Sequence, residues 1–297
     1  MAAWAPPEDS KSYKSEFNLE KVGVVGAGLM GSEIALVFAF AGHDVLLADQ
    51  SSERTAAGIE RLRGLLAKGV ARGFYPAEQA DAALGRIAAA ELPAFRDRDF
   101  VTEAVFEDLA VKAEVLGNLD RICPPRSLIA TNTSTIPIST LAAKISASRR
   151  DRFIGTHYFS PVSRMRLVEV VPGFETSQET ISSTLAICSA IGKVPIRVKD
   201  VAGFAVNRML HVFLIEAVRL VEEGVATPED IDTACRLGLG HPMGPFELMD
   251  ATTSSLCMQA QEIMQEAYGE RFRPRPLLKQ RVRAGLIGGR SARGWRR

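Results

Sequence analysis

Hydrophobic and polar positions follow two different patterns along this chain. Up to about residue 200, short runs rich in β-branched residues alternate with longer stretches of helical spacing. The strand-like runs read KVGVVG, DVLLAD, FVTEAV, SLIATNT, RFIGTHYF, RLVEVV and VPIRV. Apolar runs separated by helices are typical of a parallel sheet covered on both faces. We therefore predict an α/β fold with a doubly wound, mostly parallel sheet.

The strand-like runs stop after the segment VKDVAGF, and the rest of the chain has helical spacing. Helices are predicted over NRMLHVFLIEAVRLVEEG, TPEDIDTACRLG and GPFELMDATTSSLCMQAQEIMQEAYG. Thr227 before Pro228 is typical of a helix N-cap with proline at the first helical position. The pattern predicts a flexible arm over residues 1–20, a sheet domain over 21–202 and an all-helical domain over 203–297.

The composition is that of a globular chain with little net electrostatic field. Of its 297 residues, 46% are hydrophobic and 24% are charged, which suits two domains that each bury a core. Lysine plus arginine number 36 and aspartate plus glutamate 35, so the net charge of +1 attracts neither nucleic acid nor an acidic membrane. Charged and polar residues interrupt the longest apolar stretch, AGFAVNRMLHVFLIEAVRLV, which predicts a buried helix and not a membrane span. The expected partner is a small molecule.

The cysteines and the N-terminal segment indicate a reducing compartment. The four cysteines lie too far apart for metal-ligand pairs and are too few for a disulfide framework; they are Cys123, Cys188, Cys235 and Cys257. The segment MAAWAPPEDSKSYKSEF has no apolar signal-peptide core, and its acids argue against a transit peptide. We therefore expect a cytoplasmic protein with reduced thiols and no metal site.

The segment VGVVGAGLMGSEIA predicts a dinucleotide site. Gly26, Gly28 and Gly31 have the spacing G-x-G-x-x-G between a strand and a helix. The first glycine permits a tight turn, the second lets a pyrophosphate approach the backbone, and the third lets helix and strand pack closely. Glycine-rich turns also serve simple packing, which is the alternative. The residues predicted to border the cofactor are Gly26, Ala27, Gly28, Leu29, Met30 and Gly31.

Asp49, at the end of the second predicted strand, favours the dinucleotide hypothesis. A carboxylate at this place can accept hydrogen bonds from both ribose hydroxyls of adenosine. It would repel a 2'-phosphate, and Gln50 is not the arginine that would bind one. We therefore predict NAD and not NADP as the cofactor, beside Asp49 and Gln50. A cap or turn at the strand end is the alternative for Asp49.

The four histidines include one candidate general base. Oxidation of an alcohol by hydride transfer needs a group that takes the hydroxyl proton, and histidine suits that role near neutral pH. We expect His43 in a surface loop, His211 hydrogen-bonded in a helical core, and His241 in a turn. His157 follows a short strand and precedes Pro161, which places it near the crevice edge where such sheets bind ligands.

Glu169, within the run RLVEVV, is the predicted partner of His157. A carboxylate inside an apolar strand is costly to bury unless a cation or a hydrogen-bond donor neutralises it. An imidazole on the adjacent segment would do so, and the carboxylate would hold its tautomer and stabilise its protonated form. The alternative is an edge strand with Glu169 in water and His157 merely packed.

Three further polar side chains are candidates to bind the reacting oxygen. Asn132 and Ser134 follow the run SLIAT, where a hydroxyl can hydrogen-bond the substrate oxygen as charge develops. A cap for the following helix is the alternative. Asn207 begins the second domain and is placed to reach across a cleft, and packing at the domain interface is its alternative.

Taken in order, the motifs resemble those of the L-3-hydroxyacyl-CoA dehydrogenases, including the 3-hydroxybutyryl-CoA type. They read VGVVGAGLMG, VTEAVFEDLAVK, ATNTS, GTHYFSPV, LVEVV, GFAVNR and HPMGPFELMD, and the resemblance covers residues 21 to about 295. It implies a Rossmann-like NAD-binding domain followed by a helical domain that binds substrate and forms a homodimer. It also implies NAD-dependent oxidation of an (S)-3-hydroxyacyl-CoA, as in fatty acid β-oxidation.

The resemblance implies a role for each matched residue. His157 is implied as the general base and Glu169 as its orienting partner. Ser134 and Asn207 are implied to hydrogen-bond the reacting oxygen and the thioester region. The side chains implied at the NAD site, besides the glycine loop and Asp49, are Glu107, Lys112, Ser134, Ser160 and Arg290.

The resemblance also implies that the coenzyme A nucleotide lies against the basic helix after the second strand. Lys68 and Arg72 are the candidates for its phosphates, and a solvated basic face is the alternative.

Two other functions stay open at the level of sequence. A β-hydroxyacid dehydrogenase acting on a thioester-free substrate has a similar glycine loop and a helical second domain, but it uses a lysine in place of the His–Glu pair. A non-catalytic NAD-binding structural protein is the second. The joint presence of Ser134, His157, Glu169 and Asn207 argues against it.

Overall fold

The protein is described by a computed structural model that covers residues 19–289 and 292–296. The predicted arm over residues 1–20 lies outside the described residues except for its last two positions, and Arg290 also lies outside them. The chain divides between Val201 and Ala202 into two compact units. The first unit contains the sheet, and every element described in the second unit is a helix.

The first unit is built on one eight-stranded sheet. Its strands are β1 (Lys21–Val25), β2 (Asp44–Ala48), β3 (Ile87–Ala89), β4 (Phe100–Glu103), β5 (Leu128–Thr131), β6 (Phe153–Tyr158), β7 (Leu167–Pro172) and β8 (Val194–Arg197). Their spatial order is β3-β2-β1-β4-β5-β6-β7-β8. Neighbouring strands run parallel except β6 and β7, which pair antiparallel. The predicted mostly parallel sheet is confirmed, although the short edge strand β3 was not predicted.

Six helices accompany the sheet in the first unit. They are α1 (Leu29–Phe40), α2 (Ser52–Ala71), α3 (Ala77–Gly85), α4 (Leu109–Ile122), α5 (Ile138–Ala142) and α6 (Gln178–Ala190). Strands β4, β5 and β6 are buried at every residue, as expected where helices cover both faces. Helix α1 is buried continuously over residues 31–39 because, apart from Ser32 and Glu33, its residues there are small or apolar on every side.

The sheet topology brings distant segments to one edge. Because β1, β4, β5 and β6 run parallel, their carboxyl ends lie at the same edge of the sheet. The chain therefore leaves these strands toward one region, at Gly26, Ala104, Asn132 and Phe159 respectively. Strand β7 returns in the opposite direction, and its position 169 lies directly across from position 157 of β6.

The second unit contains five α-helices among the described residues. They are α7 (Val206–Glu222), α8 (Pro228–Gly238), α9 (Pro245–Thr252), α10 (Ser254–Tyr268) and α11 (Pro276–Arg283). The hydroxyl of Thr227 accepts a hydrogen bond from the backbone N–H of Asp230 at 3.1 Å, so the predicted N-cap of α8 is confirmed. Within the described ranges, none of the helices has both the length and the apolar character needed to cross a membrane.

The single helix predicted over GPFELMDATTSSLCMQAQEIMQEAYG is wrong, because the chain breaks it at Thr253. Thr253 has φ of 96°, a conformation that ends α9, and its hydroxyl accepts a hydrogen bond from the N–H of Leu256 to start α10. The apolar spacing continues through this break, so periodicity alone could not locate it. A positive φ is unusual for a β-branched residue.

His211 lies in the core of the helical unit, as predicted, but not with the predicted hydrogen bond. Its side chain on α7 is 5% exposed, and its Nδ1 has no hydrogen-bond partner among the described residues. Burial lowers the pKa of His211 from 6.5 to about 4. His43, expected at the surface, is half-buried beside the ring of Phe38, and burial lowers its pKa as well.

The buried His211 predicts that the helical unit loses stability in acid. Between pH 6.5 and about 4 the unfolded chain binds a proton at this histidine that the folded chain excludes, so the free energy of unfolding falls as the pH falls. Over this pH range the free energy of unfolding falls by a total of about 3 kcal/mol through this one histidine. Urea titrations at several pH values should give a steeper pH dependence for the native chain than for His211→Leu. Equal slopes would show that His211 does not titrate in this way.

Candidate active site

The glycine loop between β1 and α1 has the local geometry of an anion site. Gly26 has φ of 103°, and a Cβ there would lie 2.5 Å from the carbonyl oxygen of Ala104. A Cβ on Gly31 would lie 1.8 Å from the carbonyl oxygen of Gly26. In contrast, a Cβ on Gly28 would meet nothing within 4 Å. Packing therefore explains the first and third glycines, whereas only a bound group would require the second.

Asp49 lies against this loop at the end of β2. Its Oδ2 accepts a hydrogen bond from the N–H of Ala27 at 2.7 Å, and its Oδ1 accepts one from the N–H of Gln50 at 2.8 Å. The predicted neighbours Leu29 and Met30 form the first turn of α1, where backbone N–H groups lack partners inside the helix. The predicted ribose-binding carboxylate and the predicted pyrophosphate loop are thus in direct contact.

Two of the three glycines give a paired prediction. Gly31→Ala is expected to lower the free energy of unfolding by about 3 kcal/mol or more, because the methyl group overlaps a backbone carbonyl. Gly28→Ala should change it by less than about 1 kcal/mol, since Gly28 has ordinary extended dihedrals, and should instead weaken NADH binding at least tenfold. Denaturant titration and NADH fluorescence titration measure the two effects. Unchanged NADH affinity in Gly28→Ala would argue against a pyrophosphate at this position.

His157 and Glu169 form a buried pair across β6 and β7. They occupy directly opposed positions, and His157 Nδ1 lies 2.8 Å from Glu169 Oε2. The histidine is 5% exposed and the glutamate 0%. Strand β7 is flanked by β8, so the edge-strand alternative for Glu169 does not apply. An ionised carboxylate here accepts from Nδ1–H, which makes Nε2 of the neutral ring an acceptor.

Ser134 faces the other nitrogen of the same ring. Its Oγ lies 3.0 Å from His157 Nε2. Asn132, the second candidate on this loop, uses its Oδ1 to accept the N–H of Tyr158 at 2.9 Å and so holds the end of β6. The loop after β5 therefore places one hydroxyl at His157 and one amide on the strand that carries it.

Glu107 organises the loop that carries Ser134. Its Oε1 accepts hydrogen bonds from the hydroxyls of Thr133 and Thr135 at 2.7 and 2.9 Å, and from the N–H groups of Ser134 and Thr135 at 2.8 Å each. Burial disfavours the ionised form of Glu107, but Lys112 and these hydrogen bonds outweigh it and lower its pKa. An ionised Glu107 is thus built into the support of Ser134.

A buried ion pair that the sequence analysis did not predict lies beside this loop. Glu103 and Lys112 are 0% and 1% exposed, and Lys112 Nζ lies 2.8 Å from Glu103 Oε1 and 3.3 Å from Glu107 Oε2. Glu103 also accepts from the N–H of Val105 and the hydroxyl of Thr131, each at 2.7 Å. An acid inside the apolar run FVTEAV was the available signal, of the same kind that identified Glu169.

The remaining predicted site residues lie in several places. Ser160 is exposed just after β6, and Lys68 and Arg72 are exposed in the last turn and at the C-cap of α2. Asn207 lies in the first turn of α7, in the second unit. Arg290 lies outside the described residues. The roles predicted for these residues stay predictions.

Two family matches together span nearly the whole chain. Residues 21–201 match the family described as "3-hydroxyacyl-CoA dehydrogenase, NAD binding domain". Residues 203–297 match the family described as "3-hydroxyacyl-CoA dehydrogenase, C-terminal domain". An NAD-binding domain is thus followed by the helical domain of the same family.

Individual proteins show the same similarity. The chain is 39% identical over 279 residues to a probable 3-hydroxybutyryl-CoA dehydrogenase of Bacillus subtilis, covering 93% of this chain and 96% of that one. It is 39% identical over 287 residues to the mitochondrial hydroxyacyl-coenzyme A dehydrogenase of Sus scrofa, covering 93% and 90%. The crystal structure of (S)-3-hydroxybutyryl-CoA dehydrogenase from Ralstonia eutropha is similar with a TM-score of 0.89 at 35% identity, covering 94% and 98%.

Proposed function

Because the chain belongs to the 3-hydroxyacyl-CoA dehydrogenase family and is an NAD-dependent oxidoreductase, we propose that it reversibly oxidises (S)-3-hydroxyacyl-CoA thioesters with His157 as the general base. The product is the corresponding 3-ketoacyl-CoA. The observation that carries the proposal is the pair of contacts on one imidazole. Its Nδ1 faces the buried Glu169 carboxylate and its Nε2 faces the Ser134 hydroxyl.

His157 has the surroundings that a general base requires. In the oxidation, Nε2 takes the proton of the 3-hydroxyl group, and the ring becomes an imidazolium. The Glu169 carboxylate stabilises that cation and keeps Nδ1 protonated, so that Nε2 is the basic atom. In the reverse direction the imidazolium returns the proton to the 3-keto oxygen.

Ser134 and Asn207 complete the proposed machinery. The Ser134 hydroxyl, 3.0 Å from the base, hydrogen-bonds the same substrate oxygen and stabilises its negative charge as it develops. Asn207 is proposed to bind the thioester region from the second unit. The fixed loop that Glu107 holds keeps Ser134 in place without reorganisation during the reaction.

The residues around the glycine loop fit NAD. Gly28 leaves open space where a pyrophosphate approaches the backbone, and the Asp49 carboxylate lies beside the loop where adenosine ribose hydroxyls donate. When bound, NAD supplies the nicotinamide that accepts the hydride from C3. Glu107, Lys112, Ser160 and Arg290 are the further residues proposed at this cofactor. The buried position of Lys112 indicates that it acts there by holding Glu107.

A spectrophotometric panel tests the function. Reduction of 3-ketoacyl-CoAs of increasing length is followed with NADH and with NADPH, and we expect turnover with NADH. A thioester-free hydroxyacid oxidised faster than any 3-hydroxyacyl-CoA would instead favour the β-hydroxyacid dehydrogenase alternative. NADH binding without reduction of acetoacetyl-CoA at any pH would favour the non-catalytic alternative.

The helical unit is proposed to form a homodimer. Helices α7 and α8 leave large apolar side chains exposed, namely Met209 at 68%, Val212 at 44% and Leu237 at 84%. Met209 and Val212 lie three positions apart on α7 and therefore share one face of the helix, and exposed apolar faces are typical of surfaces that bind another protein. Light scattering on the protein as it elutes from a size-exclusion column should give a mass twice that of one chain, which is 32.2 kDa. A single-chain mass across the concentration range would refute the dimer.

A further inference from the structure

The loop over residues 159–166 joins the two strands that carry His157 and Glu169. Strand β6 ends at Tyr158 and β7 begins at Leu167, and their antiparallel pairing sets position 157 directly across from position 169. A two-residue hairpin turn fixes the register of its strands by its own geometry. A loop of this length has no such fixed geometry, so contacts from outside must hold it. A slip of one residue would turn Glu169 to the other face of the sheet, away from the imidazole.

Two buried side chains from distant segments hold the middle of this loop. The Glu33 carboxylate on α1 accepts hydrogen bonds from the N–H and the hydroxyl of Ser163 at 2.9 and 3.0 Å. The ammonium of Lys193, just before β8, donates to the carbonyl of Val162 and, at 2.9 Å, to that of Met165. Glu33 is 3% exposed and Lys193 4%. The loop is therefore fixed to α1 and to the start of β8.

The held part of the loop is connected to the imidazole. The N–H groups of Arg164 and Met165 both donate to the carbonyl of Pro161, at 3.0 and 2.9 Å, which closes a compact turn. Between this turn and β6 lies Phe159, whose ring centroid is 4.6 Å from that of His157. A displacement of the turn would therefore reach His157 through the strand and through the Phe159 ring.

The burial of Lys193 costs free energy. Burial lowers the pKa of Lys193 from 10.5 to about 8, although Cys188 and Glu33 favour its charged form. A well-packed apolar side chain of similar volume would avoid that cost. Stability alone therefore does not explain a lysine at this position, whereas fixing the loop does.

We propose that Glu33 and Lys193 are positioning residues that hold the β6–β7 loop and thereby keep Glu169 opposite His157. This inference rests on the proposed function, in which His157 takes the proton of the substrate. Both side chains act through the place of the imidazole and not on the substrate itself. A misplacement of about 1 Å at a reacting group can lower turnover about a hundredfold.

Single variants measure the contribution of each anchor. Lys193→Met and Glu33→Met remove the polar groups and keep unbranched side chains of similar length. We expect kcat for acetoacetyl-CoA reduction to fall about ten- to a hundredfold, with the KM for NADH unchanged, under conditions where urea titration shows each variant to be folded. Glu33→Gln, whose amide oxygen can still accept from Ser163, should keep most of the turnover.

Arg149→Met is the matched control. Arg149 is another buried cation, 4% exposed, and it donates to the carbonyls of Pro124 and Ser127 at 2.6 and 3.2 Å. These carbonyls precede β5, at the edge of the sheet opposite the carboxyl ends of the parallel strands. The control should therefore lower the free energy of unfolding and leave kcat as in the native protein.

A double-variant cycle separates positioning from general loosening of the fold. Lys193→Met is combined with Glu169→Gln, and kcat is compared in both backgrounds. If Lys193 acts by keeping Glu169 opposite His157, its removal should lower kcat much less once the carboxylate is already absent. Glu33→Met with Glu169→Gln gives a second cycle from the other anchor.

Three outcomes would overturn the inference. The same fold-loss of kcat in both backgrounds would show that the anchors act on the fold in general. Native kcat in both single methionine variants would show that the loop needs neither anchor. A raised KM for NADH with native kcat in Glu33→Met would assign Glu33 to the dinucleotide site. Each leaves the proposed function standing, whereas failure of the native protein to reduce acetoacetyl-CoA would reject the function itself.

Discussion

Turnover of a 3-hydroxyacyl-CoA is expected to fall by a factor of about 100 to 10,000 in His157→Gln, the range typical of losing a general base. Glutamine retains a polar side chain of similar reach but cannot take a proton near neutral pH. NADH binding should stay nearly intact, because the glycine loop and Asp49 follow β1 and β2, and strands β4 and β5 separate these from β6, which carries His157. Steady-state kcat and an NADH fluorescence titration measure the two quantities.

Glu169→Gln is the informative companion variant. It leaves His157 in place and keeps the volume of the side chain at position 169. It replaces the carboxylate that lies 2.8 Å from His157 Nδ1. An amide can present its NH₂ group to the ring and favour the wrong tautomer, so turnover should fall, while the protein keeps NADH affinity. Unchanged turnover in His157→Gln would remove His157 from the mechanism, whatever Glu169→Gln shows.

The second large effect is expected for Glu103→Gln, which should lower the free energy of unfolding by about 3 kcal/mol or more. The substitution leaves the Lys112 ammonium, 1% exposed, without the carboxylate that lies 2.8 Å away. The contact of Lys112 with Glu107 is longer, at 3.3 Å, and compensates only in part. Urea denaturation of the native chain and the variant measures the difference.

A double variant separates the ion pair from simple loss of packing. Glu103→Gln with Lys112→Met removes both charges, so it should be more stable than Glu103→Gln alone. A loss below about 0.5 kcal/mol in Glu103→Gln would mean that Glu107 and the Val105 carbonyl satisfy Lys112 by themselves. That result would make Glu107 the principal partner of the buried lysine.

The buried network also connects stability with the site. Glu103 holds Lys112, Lys112 pairs with Glu107, and Glu107 accepts hydrogen bonds from the N–H groups of Ser134 and Thr135. The hydroxyl of Ser134 then reaches His157. Groups in one hydrogen-bonded network rarely contribute independently. Substitutions at Glu103 are therefore expected to disturb the position of Ser134 at His157 and so lower turnover, as well as lowering the free energy of unfolding.

Local patterns predicted those features that depend on neighbours in sequence. The seven strand-like runs all became strands, since period and β-branched content are properties of each segment. The glycine spacing located the loop, and Thr227 located the start of α8. The break at Thr253 could not be predicted, because a threonine with positive φ leaves no mark in the apolar period.

Pairing between segments was predictable only where a single residue demanded a partner. Glu169 inside an apolar strand required a donor, and His157 was the available one on the adjacent segment. The same reasoning applied to Glu103 would have led to Lys112, nine positions later on α4, but Lys112 was instead interpreted as a cofactor contact. The sequence shows that a buried acid needs compensation, whereas which cation is within reach depends on the fold.

The sequence by itself determined the fold class, the glycine loop and the acid at the end of β2, since each is carried by residue type and local order, and it singled out His157 as the candidate base. Tertiary structure alone decided the antiparallel return of β7, which sets Glu169 opposite His157, and the edge of the sheet where Ser134 meets the same ring. The physical reason is that hydrogen bonds and ion pairs form over about 3 Å, and only the packed chain brings groups from distant segments to that separation.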